Sequence, residues 1–200
     1  MQRIAVFVSG GGTNLQALLD AQKNNMIPHG RIVLVLASNA KAYAIQRATD
    51  NGIESIVVSR KAYGTQDEYD KAIVACMKEY DIDVIVLAGF LSILGKPVID
   101  AYEDKILNIH PSLIPSFCGK GFYGLKVHEE ALKRGVKVTG ATVHLVNEIP
   151  DGGKILKQKA VYVKEGDTPE TLQRRVMEEA EWKLLPEAVA ELCEKLEEDI

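Results

Sequence analysis

Short, uninterrupted apolar runs alternate with amphipathic stretches through the first half of the chain. Ile4 to Val8, Arg31 to Ala37, Ser55 to Val58 and Val84 to Ala88 read as strands. Asn14 to about Asn25, Ala42 to Asn51 and Glu68 to Tyr80 carry helical spacing between them, the second closed by Gly52. Strands apolar on both faces and separated by helices predict a parallel sheet covered on two sides. Lys105 to Ile109 continues the sheet.

The pattern then changes. Leu125 to Arg134 reads as a helix ended by Gly135, and Lys137 to Val146 as a long strand rich in β-branched residues. Ile155 to Val163 alternates apolar and polar positions. Two such strands with no room for a crossover helix should pair antiparallel. Thr168 to about Leu196 reads as a long helical region. Thr168 suits the N-cap and Pro169 the first helical position, and Pro186 is expected to kink or split the helix. The expectation is one α/β domain over residues 1–200. Its sheet is mainly parallel and Rossmann-like, flanked by helices, with antiparallel C-terminal strands and a long C-terminal helical region.

Composition narrows the function. Hydrophobic residues are 46%, charged residues 26%, and the net charge is −4. This is an ordinary globular balance with no basic stripe for nucleic acid. No window supplies the roughly 18 apolar residues that span a bilayer, and Met1-Gln2-Arg3-Ile4 runs into a strand without a signal-peptide layout. Cys76, Cys118 and Cys193 are far apart, which fits a reducing cytoplasm. The 4 histidines show no i,i+4 pair, so no metal site is expected.

The stretch Asn108-Ile109-His110-Pro111-Ser112-Leu113-Ile114-Pro115 carries the clearest chemistry. Side chains at i and i+2 of a strand point to one side, so Asn108 and His110 can face one site at a strand end. An amide and an imidazole there suit polarising a carbonyl and managing a proton; buried without partners they are costly. Ser9-Gly10-Gly11-Gly12-Thr13-Asn14 joins the first strand to the first helix. It has neither the dinucleotide fingerprint nor a P-loop lysine, so it reads as a monophosphate site at a helix N-terminus. The competing reading is a tight turn capped by Thr13 or Asn14. Asp151-Gly152-Gly153 is a turn that also sets a carboxylate near the imidazole, where it favours the charged ring. Gly89-Phe90-Leu91-Ser92-Ile93-Leu94 either walls a flat ligand at a strand end or packs under the next helix. His144, inside a β-branched strand, reads first as structural, yet that strand runs toward Asp151. His128 stays open on pattern alone. Cys118 reads as an unreactive loop thiol and Ser112 as a turn hydroxyl rather than as nucleophiles.

The set S-G-G-G-T-N at 9–14, A-G-F-L-S-I-L at 88–94, N-I-H-P-S-L-I-P at 108–115, G-A-T-V-H at 140–144 and D-G-G at 151–153 resembles the folate-dependent formyltransferases. The resemblance covers nearly the whole chain, and the glycine loop points to the branch acting on glycinamide ribonucleotide. It implies transfer of the formyl group of 10-formyltetrahydrofolate, a co-substrate, to the amino group of that ribonucleotide in purine biosynthesis, with no covalent enzyme intermediate. Both partners are small molecules, and a monomer or homodimer is implied. The alternatives within the family are methionyl-tRNA as acceptor and hydrolysis. The resemblance makes His110 the proton donor, Asp151 the group that raises its pKa, and Asn108 the polariser of the formyl carbonyl. Gly12, Thr13, Asn14 and Glu181 would bind the ribonucleotide. Leu91, Ser92, Ile93, Leu94, Asn108, Asn147, Glu148, Ile149, Pro150 and Asp151 would hold the folate, with His128, His144 and Phe90 as further lining candidates. The chain departs from some relatives at Ser92, where they carry a basic residue, in the longer loop 116–124, and by one extra residue between Arg175 and Pro186.

Overall fold

Residues 1–198 are described by a computed structural model; the last two residues of the expected 1–200 domain lie outside the described residues. Seven strands form one sheet: β1 Gln2–Val8, β2 Gly30–Ala37, β3 Glu54–Val57, β4 Val84–Leu87, β5 Ile106–His110, β6 Val138–Leu145 and β7 Ile155–Tyr162. Their spatial order is β3-β2-β1-β4-β5-β6-β7. β1 to β5 are parallel, and β6 and β7 join antiparallel. The expected helices are α1 Thr13–Lys23, α2 Ala44–Asp50, α3 Gln66–Glu79 and α5 Leu125–Arg134.

The all-apolar strands are buried on both faces because alternate residues enter different cores. Ile4, Val6 and Val8 pack with Leu15, Leu18 and Leu19 of α1. Ala5 and Phe7 pack with Tyr69, Ile73 and Met77 of α3 on the other face. The sheet order leaves the carboxyl ends of β1, β4 and β5 side by side along one edge, where open α/β sheets bind ligands.

Two elements escaped the sequence pattern. A 3₁₀ turn occupies Arg60–Ala62, and α4 runs over Lys96–Ala101. Six residues are too few to display a helical period. Gly95 before α4 and Pro97 in its first turn are helix-start signals that the apolar run ahead of them obscured.

The C-terminal region starts as expected, with Thr168 capping α6 Pro169–Val176 and Pro169 in its first turn. It does not break at Pro186. A π-helical segment, Met177–Glu181, separates α6 from α7 Trp182–Glu198, and Pro186 lies inside α7. The cause is visible in the buried positions Leu172, Val176, Ala180, Leu184 and Ala188, spaced in steps of four. Four residues of α-helix overshoot one turn by roughly 40°, so a continuous α-helix would rotate this stripe off the core. One wide π turn takes up the surplus.

Candidate active site

Asn108 and His110 are the third and last residues of β5. Neighbouring β6 runs the other way, which sets Asn108 opposite His144 and His110 opposite Thr142. The Thr142 hydroxyl donates to Ser112 O at 2.7 Å and accepts from the Ile114 N–H at 3.1 Å. The loop leaving His110 is thus bound to the adjacent strand. Ser112 is the expected turn hydroxyl, donating to Ser116 O at 2.5 Å.

β6 ends at Leu145, short of Asp151, which lies in the turn returning to β7 with φ at +55°. That turn brings the carboxylate back over the strand ends. Asp151 Oδ2 is 3.5 Å from His110 Nδ1, and Oδ1 is 3.6 Å from His144 Nε2. Asn108 Nδ2 donates to His144 Nε2 at 3.0 Å and to Asp151 Oδ1 at 3.5 Å. The acceptor at His144 Nδ1 is Leu145 O, at 2.8 Å. His144 Nε2 thus faces the Asn108 amide and the Asp151 carboxylate together. His144, first read as structural, therefore belongs to the site.

Two backbone groups complete it, and neither has a sequence signature. Phe117 O lies 2.9 Å from His110 Nε2, and the Gly119 N–H donates to Asp151 Oδ2 at 2.7 Å. Cys118 sits between them. Its thiol donates to Pro115 O at 3.3 Å, and burial raises its pKa, as expected of an unreactive thiol.

Two opposing effects act on His110. Asp151 does favour the charged form of His110, but burial outweighs it, and the imidazole pKa falls below its ordinary value. Burial also pushes the Asp151 carboxyl up, but His144, His110 and the Gly119 N–H overcome that and hold it down. Nearby, His128 is fully buried, with both ring nitrogens unpartnered, and burial drives its pKa down to about 4.

A cavity of about 640 Å³ opens beside these groups, the size of a small-molecule site. Its wall contains Phe90, every residue from Leu91 to Leu94, Asn108, His144 and every residue from Asn147 to Asp151. Phe90 is also anchored on β1, edge-on to Phe7 with ring centroids 5.2 Å apart, while Leu94 shares a buried core with Val98 of α4. The sequence missed Leu87, Val146 and the stretch Gly119–Tyr123 as further wall. His110, His128 and the glycine-loop residues stand outside that wall.

The glycine loop lies at the end of β1. Gly12, not Thr13 or Asn14, is the N-cap of α1, at φ +70°. A Cβ on Gly12 would fall 2.6 Å from Ala44 Cβ, whereas Gly10 and Gly11 have open space. The first helical bond of α1 is Gln16 N–H to Gly12 O at 2.9 Å, so the N–H groups ahead of it have no helical acceptor. Arg47, unmarked in the sequence, donates to Gly11 O at 2.8 Å and to Gln16 at 3.1 Å and steadies the loop. The Asn14 side chain turns inward: its Nδ2 donates to Glu181 Oε2 at 2.6 Å. Glu181 is 5% exposed, and burial pushes its carboxyl up to about 7. Glu178 instead faces outward and accepts from Arg174 at 2.8 Å.

Among the described residues no His, Cys, Asp or Glu group is arranged to hold a metal ion, and no helix is long and apolar enough to cross a membrane.

Comparison with known proteins agrees with this architecture. The chain is 44% identical over 187 residues to the trifunctional purine biosynthetic protein adenosine-3 of Gallus gallus, covering 94% of this chain and 18% of that protein. It is 38% identical over 195 residues to the chloroplastic phosphoribosylglycinamide formyltransferase of Arabidopsis thaliana, covering 97% and 66%. The crystal structure of glycinamide ribonucleotide transformylase 1 from Symbiobacterium toebii superposes with a TM-score of 0.91 at 41% identity, covering 98% of this chain and 89% of that one. The sequence profile of the family described as Formyl transferase matches residues 2–189, and the chain belongs to that family.

Proposed function

We propose that the chain transfers the formyl group of 10-formyltetrahydrofolate to the amino group of glycinamide ribonucleotide, giving formylglycinamide ribonucleotide and tetrahydrofolate. The observation that carries this reading is the convergence of Asn108, His144 and Asp151 in the wall of the 640 Å³ cavity, with His110 3.5 Å behind Asp151, in a member of the formyl transferase family.

The cavity takes the folate, with its formyl group at the Asn108 end. The glycine loop takes the phosphate on the free N–H groups of α1. Glu181, fixed by Asn14, holds the ribonucleotide beside it. The neutral amine attacks the formyl carbon, a C–N bond forms, and the carbonyl electron pair moves onto oxygen. Asn108 Nδ2–H donates to that oxygen in place of its long 3.5 Å contact to Asp151. His110 Nε2–H, now aimed at Phe117 O, gives the second hydrogen bond. Collapse expels N10 of the folate, which takes up a proton as the amine loses one. The lowered pKa of His110 suits a group that must release its proton, and ionised Asp151 holds the ring in orientation. Binding both substrates in one cleft supplies the entropic part of the rate.

The scattered cysteines support a reducing, cytoplasmic setting, and the chain acts as a monomer or homodimer on small molecules. The test is incubation of the purified protein with 10-formyltetrahydrofolate and each acceptor in turn. Turnover with glycinamide ribonucleotide is expected. Formylation of methionyl-tRNA, or release of formate to water, without it would overturn the reading.

A further inference from the structure

Ser9 opens the glycine loop, yet its hydroxyl is turned away from the loop it begins. Its Oγ accepts the Leu91 N–H at 2.9 Å and the Ser38 hydroxyl at 2.8 Å. Its backbone is held separately, by its N–H to Gly89 O at 3.1 Å and by Asn39 Nδ2 to its carbonyl at 3.0 Å. Leu91 is the second of five consecutive wall residues, Phe90 to Leu94, and is 63% exposed. Farther along, the wall is tied to α3 by Gln66 Nε2 to Ile93 O at 3.0 Å and by the Gly95 N–H to Asp70 at 3.1 Å. At its start, side-chain support comes from Ser9.

We infer that Ser9 is a positioning residue for the folate wall, reached from the ribonucleotide side of the cleft. This rests on the proposed function for the identity of the cavity's ligand. Removing the hydroxyl leaves the backbone bonds of the glycine loop in place and leaves the Leu91 N–H without its acceptor. The consequence falls on the folate rather than on the phosphate, although Ser9 belongs to the phosphate loop in sequence. A lost neutral hydrogen bond of this kind is worth roughly a 3- to 10-fold change in affinity.

The experiment compares Ser9→Ala, Ser9→Thr and Ser38→Ala with the wild type, reading the KM of each substrate and, by calorimetry, the affinity for tetrahydrofolate. Ser9→Ala is expected to weaken tetrahydrofolate binding and raise the 10-formyltetrahydrofolate KM about 3- to 10-fold, with the ribonucleotide KM within about twofold. Ser9→Thr, which keeps the acceptor, restores the folate values. Ser38→Ala, which removes only the other partner, leaves them within about twofold. If Ser9→Ala does not fold, Ser9→Cys, nearly isosteric with a weak acceptor, carries the same expectation. Unchanged tetrahydrofolate affinity, or a ribonucleotide KM that rises as much as the folate KM, overturns the assignment. A wild type that binds tetrahydrofolate but does not formylate the ribonucleotide sinks the proposed acceptor and leaves the Ser9 test standing. A wild type that binds no folate sinks both.

Discussion

The amide of Asn108 and the ring of His144 meet across two antiparallel strands, 3.0 Å apart, at directly paired positions. The reversal of β6 makes this meeting possible, since a strand arriving in the parallel sense would present different residues there. In the proposed mechanism His144 aims Asn108. Replacing it with leucine is expected to lower kcat about tenfold or more with the ribonucleotide KM little changed. Steady-state kinetics at saturating folate checks this; an unaltered kcat would remove His144 from the site.

His110→Ala should lower turnover about 10²-fold or more. Circular dichroism should show the fold intact. Activity within a few-fold of the wild type contradicts the assigned role.

Asp151 raises the His110 pKa against the larger effect of burial. Asp151→Asn removes that support, so the imidazole pKa should fall further below its ordinary value. NMR titration of the ring protons in both proteins measures it. A rise would show that the carboxylate is not the partner that the 3.5 Å geometry suggests.

Glu181 has its carboxyl pushed from 4.5 up to about 7. The folded protein therefore keeps a proton that the unfolded chain has already released, and stability is full below the unfolded value and declines as pH rises toward 7. The loss is at most on the order of 3 kcal/mol. Thermal melts from pH 4.5 to 7.5 should show a fall in the wild type that is absent in Glu181→Gln. Parallel curves would place the proton elsewhere.

Gly12→Ala puts a methyl group 2.6 Å from Ala44 Cβ at a φ of +70°. We expect a stability loss of about 1–3 kcal/mol and a raised ribonucleotide KM, measured by denaturant titration and kinetics. Gly11→Ala, with open space around it, should cost far less stability.

The parallel sheet was legible because β1, β2 and β4 are apolar at every core position, and β-branched residues marked β6. Asn108 and His110 were legible because strand alternation fixes which side they share. Asp151 was visible as a turn, but its approach to His110 depends on a hairpin whose reach no local pattern encodes. Phe117 O and the Gly119 N–H are backbone groups, so residue identity says nothing about them. His144 stayed open between a structural and a site-lining reading because alternation places a polar residue in a buried strand without naming the partner that satisfies it. The wide turn at Met177–Glu181 was masked by Pro186, a stronger local signal for a break that the packing places elsewhere.

That wide turn works as an expansion joint: α6 stays tied by the Arg175–Asp167 pair, α7 stays packed on the sheet, and the change of helical pitch is confined between them. Glu181 is the last residue of the joint, so its meeting with Asn14 is set there and not by the period of either helix.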